Sequence, residues 1–97
     1  MDIFSYLASY IPIRQELKFR IEGDIGITFN KQNFTLEYLN GTALDIFQMI
    51  DGKKTVSEIA NKFMETTDVE KSVFEQDLIE LLRDFQWKKL ILLRKTV

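Results

Sequence analysis

Asp77 and Glu80 stand one helical turn apart in a stretch of helical periodicity, a spacing at which two carboxylates could act as acid and base or hold a hard cation. Charged pairs at this spacing are also ordinary on solvated helix faces. The rest of the chain decides between the two. Its 97 residues include no histidine and no cysteine, which removes the commonest general base, the commonest metal ligand, thiolate nucleophiles and disulfides. There is no glycine-rich phosphate loop and no run of residues at metal-ligand spacing. The sequence therefore argues against an enzyme: no catalytic residue, no metal site and no cofactor is expected.

What remains is a binding surface, and length and charge limit its kind. A chain of 97 residues makes one domain, with room for a core but not for a core plus a deep enclosed cavity. Hydrophobic residues at 45% and charged residues at 29% are those of an ordinary globular protein. A net charge of −2 gives no attraction to nucleic acid or to anionic lipid. No segment is long and apolar enough to span a bilayer, and the first residues lack the basic region and cleavage site of a signal peptide, so a cytoplasmic, membrane-free protein is expected.

Residues 1–12 read as an N-terminal extension in which Ile3, Phe4, Leu7, Ala8 and Ile11 could line one face of a short helix, either packing on the domain or meeting a partner enzyme or a second copy of the chain. From Leu17 the period changes to two. Leu17, Phe19 and Ile21 alternate with charged residues, Ile25, Ile27 and Phe29 follow, and then Phe34, Leu36 and Tyr38. Glu22-Gly23-Asp24 and Asn30-Lys31-Gln32-Asn33 are rich in turn formers, so the three strands should make an antiparallel meander whose apolar face rests on helices. By parity Phe34 and Leu36 belong to that buried face.

The helices follow at once. Asn40 is placed to cap a first helix that Asp51-Gly52 ends, and Thr55 with Glu58 has the spacing of a capping box for a second. A third begins near Asp68 to Glu70 and runs to about Lys88, with Phe74, Leu78, Leu81 and Phe85 as its core stripe and Leu82 beside it. Leu90 to Leu93 is apolar and is either a short strand or a tail packed on the core. The expected class is α+β: a three-stranded antiparallel sheet followed by three helices, similar to a winged helix-turn-helix, in a single domain over residues 13–97.

Such an arrangement can read a nucleic-acid groove with a helix or take up a peptide by strand addition. Glu70, Glu75, Asp77, Glu80 and Asp84 on the third helix oppose phosphate, so a winged-helix nucleic-acid-binding regulator is the alternative and not the first choice. The last strand of the meander, by contrast, offers an edge. If one long side of residues 33–39 is unpaired, its amides and carbonyls can hydrogen-bond an extended segment, with the third helix as the opposite wall.

The motifs Leu39-Asn40-x-Thr42-Ala43, Asp51-Gly52-Lys53-x-Thr55-Val56-x-Glu58-Ile59, Asp77-Leu78-x-x-x-Leu82 and Phe85 followed by Leu90-Ile91, in this order, resemble the pyrroloquinoline quinone biosynthesis protein D family. The resemblance covers about residues 17–91. It implies a recognition element that binds the leader region of a ribosomally synthesised precursor peptide as a fourth strand and presents it to a maturation enzyme such as a radical SAM enzyme, a leader protease or a cyclase. A homodimer is possible within this reading. Carried over by position, the resemblance gives a peptide-binding wall of Asn33, Phe34, Thr35, Leu36, Glu37 and Tyr38 facing Asp77, Glu80, Leu81 and Asp84. One departure bears on the helix end: family members commonly place a glycine before the Leu-Ile pair, where this chain has Trp87-Lys88-Lys89.

Overall fold

Turn length decides how the alternating segments stack. In the computed structural model, which describes residues 3–96, Gly23 and Asp24 form a two-residue connection that pairs Glu22 with Ile25, and residues 31–34 close Asn30 onto Thr35. Gly23 sits at φ +62, the left-handed conformation such a tight turn requires. The result is the expected antiparallel meander of β2 (Lys18–Glu22), β3 (Ile25–Asn30) and β4 (Thr35–Leu39), in the order β2-β3-β4. Before it come α1 (Ile3–Leu7) and β1 (Ile11–Arg14); after it come α2 (Gly41–Met49), α3 (Val56–Thr66), α4 (Lys71–Trp87) and β5 (Ile91–Arg94).

The register overturns one expectation. Residues directly opposite each other share a face, and the two-residue turn pairs Phe19 with Thr28 and Ile21 with Gly26. The core face of the sheet therefore carries Phe19, Gly26, Thr28, Glu37 and Leu39, while Ile25, Ile27, Phe29, Leu36 and Tyr38 lie on the other. Phe34 and Leu36 are accordingly not core residues; they are 82% and 54% exposed. Gly26 shows why this face is the inner one. A Cβ there would stand 2.5 Å from Leu44 Cδ1 and 2.9 Å from Phe19 Cε1, so the absent side chain lets α2 close on the sheet.

Around this contact the core assembles from all three later helices. Phe47 of α2 meets Phe19 of β2 and Phe85 of α4 edge-on, with ring centroids 5.1 and 5.6 Å apart, and Phe63 of α3 stacks on Phe74 of α4 at 4.6 Å. Val56, Ile59 and Ala60 fill the α3 side, and Leu78, Leu82 and Phe85 the α4 side. Leu81, expected in the stripe, is only partly buried at its margin, whereas Ile79 is buried.

The caps explain where the helices begin. Thr55 and Glu58 form the complete capping box, the Glu58 amide donating to Thr55 Oγ1 at 3.1 Å and the Thr55 amide to Glu58 Oε1 at 2.9 Å. The next two amides of α3 are taken by the N-terminal segment: Val56 N–H donates to the Tyr10 carbonyl and Ser57 N–H to that of Ala8. Asn40 occupies the N-cap of α2 but its side chain makes no capping bond.

The N-terminal segment is packed. α1 lies against α4, and β1, which begins one residue before the end of the expected extension, pairs antiparallel with β5 from Ile11–Arg94 to Arg14–Ile91. The apolar run at residues 90–93 is thus resolved as a strand. Arg14 on β1 stacks its guanidinium over Phe19 and Phe47 at 5.2 and 4.6 Å and donates two bonds to the Phe47 carbonyl near the end of α2. Burial there lowers its pKa, and Asp51 partly offsets this.

Candidate functional site

Among the described residues β4 is terminal in the sheet, and one of its long sides has no partner strand. The other terminal strand, β2, is blunted by Lys18, Arg20 and Glu22 on its outward face; β4 has Leu36 and Tyr38 in the equivalent rows. Charged side chains discourage edge pairing, and an apolar, proline-free edge invites it.

On the inner face of β4, Lys88 joins the strand to the end of α4. Its Nζ lies 3.1 Å from Asp84 Oδ2 and 3.7 Å from Glu37 Oε2, which brings two of the expected wall residues together through a third that the wall did not include. Its pKa is raised chiefly by the hydrogen bond to Asp84, with Glu37 adding to the effect. The i, i+4 spacing of Asp84 and Lys88 is legible in sequence. Its link to Glu37, far away in the chain, is not.

An open groove of about 330 Å³ runs between the start of α2, the end of α3 and the flank of α4, with Ala43, Phe63, Val73, Asp77 and Leu81 in its lining. The groove thus brings together Asp77 and Leu81 of the expected wall with Val73, an apolar position that sequence reading did not single out. Glu80 is elsewhere. It lines a second hollow, of about 580 Å³, between α1 and α4 with Ile3, Phe4, Ile79 and Arg83.

The remaining wall residues have distinct surroundings. Asn33 builds the turn before β4, its Oδ1 accepting from the Thr35 amide at 3.2 Å and from Thr35 Oγ1 at 2.7 Å. Phe34 follows at φ +53, its ring edge-on to Phe29 at 6.4 Å on the outer face. Among the described residues no three His, Cys, Asp or Glu side chains converge as a metal site would need, and no helix is long and apolar enough to cross a membrane.

The family signature described as Coenzyme PQQ synthesis protein D (PqqD) matches residues 35–91, from the first residue of β4 to the first of β5. The chain belongs to the PqqD family. A solved structure described as TbiB1 in complex with the TbiA(beta) leader peptide superposes with a TM-score of 0.76 at 20% sequence identity, covering 81% of this chain and 93% of that one. At that identity the likeness establishes the fold. Among curated proteins no significant match is found. The part of the chain that carries the PqqD signature contains β4, the apolar groove and the whole of α4, whereas α1 and β1–β3 precede it.

Proposed function

We propose that this PqqD-family chain is a non-catalytic adaptor that binds the leader region of a ribosomally synthesised precursor peptide as an added strand along β4 and presents it to a modifying enzyme. The long side of β4 that has no partner strand among the described residues, on a strand tied to α4 through Glu37, Lys88 and Asp84, carries the reading. Main-chain hydrogen bonds to the edge would supply affinity that is largely independent of sequence, and the groove beside Ala43 and Leu81 would supply selectivity. The fold shared with TbiB1, whose structure holds a leader peptide, supports the same assignment. The wall comprises Thr35 to Tyr38 on one side and Asp77, Leu81 and Asp84 on the other, with Lys88 between Glu37 and Asp84.

Titration calorimetry against the leader of a precursor encoded beside this gene tests it. The expected dissociation constant lies between nanomolar and low micromolar, on the order of −8 to −11 kcal/mol. No heat and no chemical-shift change in β4 at saturating peptide would refute the assignment.

A further inference from the structure

The outer face of the sheet changes character from one edge to the other. The two rows that cross all three strands start with a charged residue on β2 and end with an apolar one on β4: Lys18, Phe29, Leu36 in one and Arg20, Ile27, Tyr38 in the next. Leu36 is 54% and Tyr38 65% exposed, and both lie next to the unpaired side of β4. Rows that end in solvent are ordinarily polar at their ends, as these are at β2. At β4 they stop as though one more apolar side chain were missing from each.

An added strand supplies that side chain. Alternate residues of an extended peptide on the β4 edge point to opposite faces, so half of them lie on the inner face with Glu37 and half stand beside Leu36 and Tyr38. We propose that Leu36 and Tyr38 are specificity-determining residues that select apolar, β-branched or aromatic side chains at two alternate, outward positions of the bound peptide. The inference rests on the strand-addition reading above and adds to it a second row of recognition, outside the cleft. The preferred ligand is then a segment apolar on both of its faces where it crosses Leu36 and Tyr38, in place of one whose outward residues are polar and free to vary.

The test is selection from a phage-displayed library of random 12-residue peptides on the intact chain, repeated on the double variant Leu36→Lys/Tyr38→Lys. Both positions are exposed, so the variant should unfold at nearly the parent temperature, which is checked by circular dichroism. On the parent, enriched peptides should carry Val, Ile, Phe or Tyr at two positions separated by one residue. On the double variant those two positions should turn to Asp or Glu, since opposite charges are favoured across a strand pair, while the inward preferences stay the same. Peptides selected on the parent should bind the variant roughly tenfold more weakly. An unchanged motif on both proteins would overturn the role of Leu36 and Tyr38 and leave strand addition standing. If no peptide is enriched even on the parent, the adaptor reading falls, and this inference with it.

Discussion

Lys89 is an exposed lysine held at φ +61, where a side chain crowds its own backbone. It occupies the left-handed position that closes α4: the Leu90 amide donates to the Phe85 carbonyl and the Lys89 amide to that of Gln86, the two bonds of a Schellman end. This is where family members commonly have glycine, so the helix end is kept and only the strain differs. Lys89→Gly should therefore stabilise the fold by about 0.5–1 kcal/mol and raise the unfolding temperature by a few degrees, measured by thermal circular dichroism. Asp51 makes a different case. Its carboxylate accepts from the Lys53 and Lys54 amides and pairs with Lys54 Nζ at 2.7 Å, and these bonds, the Lys54 ammonium first, hold its pKa well below the ordinary 3.8. A depressed carboxylate contributes stability that is present above the unfolded value and lost as pH falls through the folded one. Asp51→Asn keeps an acceptor for the turn but not the charge. Its unfolding temperature should lie below the parent's at pH 6, and the gap should narrow as the pH is taken below 3.8.

At the scale of the element, β4 bonds β3 on one side and, in the function proposed above, takes up a peptide on the other. Successive amides point to opposite sides, so proline placed in turn at Leu36, Glu37 and Tyr38 should give alternating outcomes. Where the amide faces β3 the ladder loses a bond and the midpoint of unfolding drops; where it faces the edge the protein stays folded and calorimetric peptide binding is lost. Three folded variants that all bind like the parent would show that the ligand does not use this edge. Much of this element was legible in the sequence. The alternation through Leu36 and Tyr38, the turn residues before it and the capping box of Thr55 and Glu58 are local signals, and each became the structure that local physics requires, whereas Phe34, expected in the strand, lies in the connection before it at φ +53. The facing of β3 and β4 relative to β2 was not legible, because parity along one strand does not fix its face relative to another; the two-residue turn at Gly23-Asp24 sets β3 against β2 by pairing odd with even positions, and the register across residues 31–34 carries β4 with β3. The close approach of α2 at Gly26 then decides which face is buried. The bridge that Lys88 makes from Asp84 to Glu37 was not legible for a similar reason, since it depends on how α4 lies against the sheet. Glu80 shares the helix with Asp77 and Leu81, and its placement by the α1 hollow follows from packing of the N-terminal segment that no periodicity reveals.

Across the whole molecule, charge and connectivity set further outcomes. Carboxylates along α4 and a net charge of −2 oppose phosphate, so fluorescence anisotropy with a random DNA duplex should stay flat even at low salt, the condition most favourable to binding. Salt-sensitive binding below micromolar would instead revive the winged-helix regulator. Connectivity concerns the pairing of β1 with β5, which ties the first strand to the last and sets Leu90 and Ile91 into the core at 1% exposure each. The same N-terminal segment hands two carbonyls to the first turn of α3, and the Gln15 amide reaches the Leu90 carbonyl at 2.8 Å. These links join β1 and β5 to the helices behind the sheet, so the pair should unfold with the domain and not before it. Ile91→Ala removes buried methyl groups and should cost about 2–4 kcal/mol, a large part of the stability of a domain this size. In urea, Trp87 fluorescence, at the helix end just before β5, and far-ultraviolet circular dichroism should report the same midpoint, lowered equally in the variant. A terminal pair that frayed independently would behave otherwise: Ile91→Ala would leave the circular dichroism midpoint unmoved while the fluorescence transition separated from it.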